Sequence, residues 1–227
     1  IPAAAHRQFL RMTPKLCPVP RHLAYLGGET KMPDVPDYSG ADSQLADIAA
    51  FFAKEHNLPP SPEGPGFLRF EKSQEEGDHK EAHRIVVEAD GILIQASTPA
   101  GAFRATRTLK MLLPLGVTTL PRLEIRDNPA FTRRGFMLDV SRCKVPTIET
   151  ILELVDLLAD LKYNEFQLYV EHTFAFTEHE TVWKEASPLS PAEIRLIDDR
   201  CRERFIELVP NLNSFGHFAR WACHHPF

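Results

Sequence analysis

Three places in this chain set charged or hydrogen-bonding residues directly after a short apolar run. Arg134-Gly135-Phe136-Met137-Leu138-Asp139-Val140-Ser141-Arg142 delivers Asp139 and Arg142, and residues 165–170 deliver Glu171 and His172. Residues 206–210 lead to Asn213-Ser214-Phe215-Gly216-His217. Short apolar runs of this kind predict buried parallel strands with polar chemistry at their carboxyl ends. Three such ends at one edge build a site. An arginine there offers a rigid fork of donors suited to adjacent hydroxyls. A histidine there can support a neighbouring carboxylate and tune its pKa. Asp139 lies inside its strand, a position suited to orienting Arg142 or the backbone. His172, His179 and His217, with Cys223-His224-His225, invite a metal reading, but their spacing matches no compact zinc pattern. No cofactor is expected.

The elements that must carry these residues alternate. Strand 135–140 leads to helix 147–162, strand 165–170, helix 191–204 and strand 206–210. The first helix shows a stripe of Ile148, Ile151, Leu152, Val155, Leu158 and Leu161. The second opens on Ser190-Pro191-Ala192-Glu193, a capping box with proline at the first helical position. Such alternation predicts parallel βαβ units. Residues 131–227 amount to well under half of the roughly 250 residues of a (β/α)8 barrel. The chain is therefore expected to be a fragment, truncated after the third barrel strand.

Before the Asp127-Asn128-Pro129 linker the pattern is different. Residues 1–40, with Pro18, Pro20, Pro33 and Pro36, predict an irregular lead-in containing one strand near 23–26. Residues 41–56 place Leu45, Ile48, Ala49, Phe52 and Ala53 on one helical face, with Asp42 or Ser43 as cap. Strands are predicted at 67–71, 84–89 and 92–97, the last two joined by an Asp90-Gly91 hairpin turn. Helix 99–113 and a strand at 118–126 complete an α+β domain with an antiparallel sheet over 41–128.

Composition narrows the partners. The chain has 227 residues, 43% hydrophobic and 25% charged, with a net charge of -5. That balance gives no reason to expect nucleic acid or a membrane surface, and no apolar run approaches the roughly 20 residues of a membrane span. Residues 1–10 lack the apolar core of a signal peptide, so either a leader has been removed or the chain was cut from a longer one. Cys17, Cys143, Cys201 and Cys223 show no repeated spacing and read as unpaired thiols, although pairing stays open and with it the compartment.

The Arg134–Arg142 run, Lys162-Tyr163-Asn164-Glu165-Phe166-Gln167-Leu168 and Pro210-Asn211-Leu212-Asn213-Ser214-Phe215-Gly216-His217 together resemble glycoside hydrolase family 20, the β-N-acetylhexosaminidases. Residues 85–113, with their hairpin, Gly101 and Thr108-Leu109, resemble the non-catalytic domain that precedes the barrel in that family. The resemblance spans about residues 40 to 227. It implies substrate-assisted retaining hydrolysis of terminal N-acetylhexosamines on glycans, an exception to the two-carboxylate scheme. The 2-acetamido oxygen attacks the anomeric carbon while a Glu protonates the leaving oxygen and the Asp before it holds the acetamido group. That Asp-Glu pair follows the family's fourth strand and is expected beyond residue 227, so the fragment alone should be inactive. Arg142 matches the arginine that grips the sugar hydroxyls. His217 matches a histidine in the acid's hydrogen-bond network. Asn213 is divided between site and turn.

Glu171-His172 departs from the Asp pair that many members carry there, and His172 aligns better with a site role than Glu171. Phe174, Phe176, Trp183 and Trp221 could stack on a sugar ring or pack a long loop. Two further readings stay open: a catalytically dead glycan-binding homologue, and a metal-dependent (β/α)8 hydrolase using His172 and His217. Substrate sugar, linkage and oligomeric state are not encoded legibly.

Overall fold

The computed structural model describes residues 15–40, 43–74, 79–113, 116–142 and 144–224. The chain divides into two compact units between residues 130 and 131. The first unit contains β1 (His22–Lys31), β2 (Tyr38–Gly40), α1 (Ser43–His56), β3 (Leu68–Lys72), β4 (His83–Val87), β5 (Ile92–Ala96), α2 (Pro99–Leu112) and β6 (Thr119–Asp127). Its six strands form one sheet in the order β1-β6-β4-β5-β3-β2.

Period-two alternation makes this sheet two-faced. Phe70, Ile94, Ile85 and Ile125 are register neighbours across four strands, and all are buried. The other face carries a polar ladder: Arg84 bonds Glu124 at 2.7 Å and Gln95 at 2.9 Å, and Arg126 bonds Glu124 at 2.7 Å. Helices α1 and α2 pack on each other and on the sheet. Thr98 caps α2, accepting from Gly101 N at 3.1 Å. A Cβ at Gly101 would lie 2.5 Å from Ala82 O, so only glycine permits this approach. The Arg104–Glu81 pair, 3.0 Å apart with both side chains 2% exposed, is buried beside it.

Two expectations are corrected here. The strand expected near 23–26 is ten residues long, and residues 38–40 add a second strand to the supposedly irregular lead-in. Gly27 and Gly28, at φ of 79° and 81°, absorb a register irregularity between Tyr25 and Glu29, and pairing with β6 resumes beyond it. The sheet is mixed rather than antiparallel. β5 lies between β3 and β4, parallel to one and antiparallel to the other, because β4 returns along the far side of the hairpin. Asp42 lies outside the described residues.

The second unit contains β7 (Gly135–Asp139), α3 (Ile148–Asp160), β8 (Glu165–Val170), α4 (Glu180–Trp183), α5 (Pro191–Glu203), β9 (Glu207–Leu212) and α6 (Ala219–Ala222). The three strands are parallel in the order β7-β8-β9, with α3 and α5 as crossovers. Ile151, Val155 and Leu158 of α3 are buried as the stripe predicts, but Leu161 is exposed. The capping box forms: Ser190 Oγ accepts from Glu193 N at 3.2 Å, and Glu193 Oε2 accepts from Ser190 N at 2.7 Å. Asp156 of α3 receives Arg200 and Arg204 from the α5 side, both at 2.8 Å. The short helices α4 and α6 carry no sequence periodicity and were not expected. Among the described residues no helix is long and apolar enough to cross a membrane.

Candidate active site

The polar residues converge where β7, β8 and β9 end, because parallel strands point their carboxyl ends the same way. Alternation along β8 puts Gln167, Tyr169 and then Glu171 on one face, with Phe166, Leu168 and Val170 on the other. Asp139 is the register partner of Tyr169 on β7, and Asn211 is its partner on β9.

Asp139 organises the turn after β7. Its Oδ1 accepts from Ser141 N at 2.8 Å and from Arg142 N at 3.2 Å. Its Oδ2 lies 3.2 Å from Arg142 Nη1. This Asx-type turn needs a short acceptor at that position. Arg142 Nη2 donates to Tyr169 Oη at 3.1 Å, and the guanidinium carbon stands 5.0 Å from the Tyr169 ring centroid. The Arg142 side chain still keeps 54% of its surface exposed.

Glu171 is the buried anion of the cluster, its side chain 7% exposed. Tyr169 Oη donates to Glu171 Oε1 at 2.9 Å. Arg142 Nη2 lies 3.6 Å from the same oxygen and His217 Nδ1 lies 3.8 Å from it. The Glu171 backbone is fixed as well: its N–H donates to Ser141 Oγ at 2.7 Å, and its carbonyl accepts from Trp221 Nε1 at 2.7 Å. Ser141 Oγ and Thr173 Oγ1 share a hydrogen bond of 3.0 Å. Burial, with help from the Glu171 carboxylate, pushes the Tyr169 phenol above its ordinary value.

His172 follows Glu171 in the chain and feels its charge. It is buried, and among the described residues its Nδ1 has no hydrogen-bond partner. Burial first, and then the charge of Arg220, hold its imidazole below the usual histidine range. His217 is exposed and sits in the left-handed region at φ 54°. Asn213 enters through its main chain, its N–H donating to Val170 O at 2.9 Å. Trp221 is buried and stacked on Phe218 at 4° between planes, with Phe176 and His179 edge-on to it. Trp183 donates Nε1 to Phe176 O at 2.8 Å. These aromatics pack the loops that follow β8 and β9.

The described residues contain no group of three His, Cys, Asp or Glu placed to hold a metal ion, and His225 lies outside them. A cavity of about 480 Å³ lies elsewhere, on the helix side of the sheet, lined by Leu168, Val170, Ile194, Leu208 and Leu212. Phe174 and Phe176 also line it, but Asp139, Arg142, Glu171, His172 and His217 do not. The sequence reading missed Tyr169, Ser141 and Thr173. Tyr169 was detectable in principle, standing two residues before Glu171 on the same strand face.

Residues 13–128 match the model of glycosyl hydrolase family 20, domain 2, just over half of the chain. The chain is 26% identical over 154 residues to the β-hexosaminidase subunit β of Mus musculus, covering 63% of this chain and 28% of that one. The family 20 β-N-acetylhexosaminidase of Streptomyces coelicolor superposes with a TM-score of 0.81 at 22% identity, over 92% of this chain and 48% of that chain. The exo-β-N-acetylglucosaminidase of Vibrio harveyi, solved in complex with N-acetylglucosamine, gives 0.75 at 21%, over 86% and 35%. The chain thus spans about a quarter to a half of the length of these relatives.

Proposed function

Because the chain belongs to glycosyl hydrolase family 20, we propose that it is part of an exo-acting β-N-acetylhexosaminidase whose sugar subsite is built around Arg142. In this reading β7, β8 and β9 open a (β/α)8 barrel preceded by a non-catalytic α+β domain that takes in β1 to β6, and the barrel is completed by chain beyond residue 227. Active sites of such barrels gather at the carboxyl ends of the strands, where Asp139, Arg142, Glu171 and His217 stand. The carrying observation is Arg142, held from its strand side by Asp139 and Tyr169 while half its side chain faces outward. A guanidinium so held offers its remaining donors to a pair of sugar hydroxyls.

The chemistry follows the substrate-assisted route. The acetamido oxygen of a terminal N-acetylhexosamine forms the bond to the anomeric carbon as the glycosidic bond breaks. A Glu beyond residue 227 protonates the leaving oxygen, and the Asp before it holds the acetamido N–H. That Glu then takes a proton from the water that attacks the anomeric carbon and breaks its bond to the acetamido oxygen. His217, 3.8 Å from buried Glu171, lends its imidazole to that acid's surroundings. Glycans ending in N-acetylhexosamine are the substrates.

The test is hydrolysis of 4-nitrophenyl N-acetyl-β-D-glucosaminide by the full-length protein. Arg142→Met should lower kcat/KM by about 10²- to 10³-fold, the loss of two or more charge-assisted hydrogen bonds. Unchanged kinetics in that variant would sink the subsite assignment. Glu171-His172 in place of an Asp pair favours a second reading, a glycan-binding homologue without hydrolysis. Binding of N-acetylglucosamine with no turnover would select it.

A further inference from the structure

Tyr169 is a residue of the site that neither charge nor motif singles out, and its geometry gives it a task. We propose that Tyr169 is a positioning residue for Arg142, its ring and hydroxyl holding the guanidinium open toward the ligand side and separating it from Glu171. What Arg142 is positioned for rests on the subsite reading above; that Tyr169 positions it rests on contacts alone.

The register makes the arrangement possible. Tyr169 and Asp139 are direct partners on adjacent parallel strands, so the two groups that touch Arg142 rise side by side from one layer of the sheet. Asp139 takes Nη1 at 3.2 Å, Tyr169 Oη takes Nη2 at 3.1 Å, and the phenol ring lies 5.0 Å from the guanidinium carbon. One hydrogen bond, one ion pair and a cation–π contact leave a long side chain with little freedom to swing.

The same hydroxyl donates to Glu171 Oε1 at 2.9 Å, while Arg142 Nη2 stays 3.6 Å from that oxygen. A phenol both accepts and donates, so it can stand between a cation and an anion and satisfy each. Without it, a buried carboxylate and a guanidinium within reach close into a direct fork-to-fork pair. Such a pair consumes the donors a ligand needs. Tyr169 therefore keeps Arg142 available and leaves Glu171 hydrogen-bonded.

The experiment uses the full-length protein carrying Tyr169→Phe, with Tyr169→Gln as a second variant that keeps a hydrogen-bonding end but lacks the ring. Two quantities are read: the rate at which phenylglyoxal modifies Arg142, followed by peptide mass, and the split between KM and kcat on 4-nitrophenyl N-acetyl-β-D-glucosaminide. Losing one hydrogen bond to a charged group corresponds to about tenfold in an equilibrium. Tyr169→Phe should raise KM by about that factor, with kcat within about threefold, as uniform binding is lost. It should also change the Arg142 modification rate by at least about threefold, and Tyr169→Gln should fall between it and wild type on both readouts. In an Arg142→Met background, Tyr169→Phe should leave KM within about twofold, since sites acting through one another are not additive.

A modification rate and KM within twofold of wild type in the folded variants overturn the proposal. So does an equal KM rise with and without Arg142. If the wild-type protein hydrolyses nothing, the functional reading fails by itself and the Arg142 modification rate still decides the role of Tyr169.

Discussion

His172 shows how burial, rather than sequence position, sets what a residue can do. It stands beside Glu171 in sequence, yet it is buried, with its imidazole held below the ordinary value of 6.5 by burial and by Arg220. In the unfolded chain that ring takes up its proton first as pH falls. The stability that neutral His172 contributes is present above 6.5 and is lost as pH falls below 6.5 and through the lower folded value. His172→Gln should accordingly flatten the dependence of thermal unfolding on pH between 7.5 and 5. A variant whose curve runs parallel to wild type would show that the ring is not buried neutral. Cys201 offers a second check at this scale. Burial pushes its thiol up to about 12, and the thiolate is the nucleophile. Iodoacetamide at neutral pH should therefore label exposed Cys17 and Cys223 well before Cys201 in the folded protein. Early labelling of Cys201 would contradict the packing of α5.

At the scale of elements, the helices of the second unit begin where the sequence predicts and end earlier. Their starts are written in caps. Thr147 accepts from Thr150 N at 3.4 Å, and Ser190 with Glu193 forms the reciprocal box. Their ends carry no glycine: Lys162 and Phe205 adopt the left-handed conformation themselves, at φ of 62° and 54°. Without the usual glycine signal, the sequence reading ran both helices slightly long. Ser190→Ala should lower unfolding stability by about 1 kcal/mol, the ordinary cost of a lost N-cap. Urea denaturation measures it, and no change would mean that Pro191 and the packing of α5 against β9 set the helix start. In the first unit the Asp90-Gly91 hairpin was legible because its turn chemistry is local, closing with Glu88 N donating to Gly91 O at 2.8 Å. β1 was legible only in part, since Gly27-Gly28 reads as a stop until β6 supplies the partners beyond it.

At the scale of the whole molecule, the two units differ in how fully they satisfy themselves. The six-stranded sheet has one face covered by α1 and α2 and the other laced by ion pairs such as Arg84–Glu124. The three-stranded parallel sheet leaves Phe136, Met137 and Leu212 exposed among the described residues, together with edges on β7 and β9. Parallel sheets are ordinarily covered on both faces, and open apolar edges recruit partners or aggregate. Residues 131–227 expressed alone should bind anilinonaphthalene sulfonate or self-associate. A monomer that leaves the dye dark would argue that these strands need no further cover, and would weigh against their being the start of a barrel.

What the sequence determined by itself was whatever neighbouring residues encode: the strand–helix alternation, the caps, the hairpin, and polar residues placed just past three apolar strands. Arg142 and Asp139 were legible because they stand three positions apart within one motif. The tertiary structure alone decided which strands lie side by side and which polar atoms meet across them. Tyr169 donates to Glu171 within its own strand face, but its partnership with Arg142 spans 27 residues of chain, and that of Trp221 with Glu171 spans 50. Such contacts have no local pattern to read. They exist only once sheet register has fixed Asp139 opposite Tyr169, because hydrogen bonding depends on distances of a few ångströms that chain order does not carry.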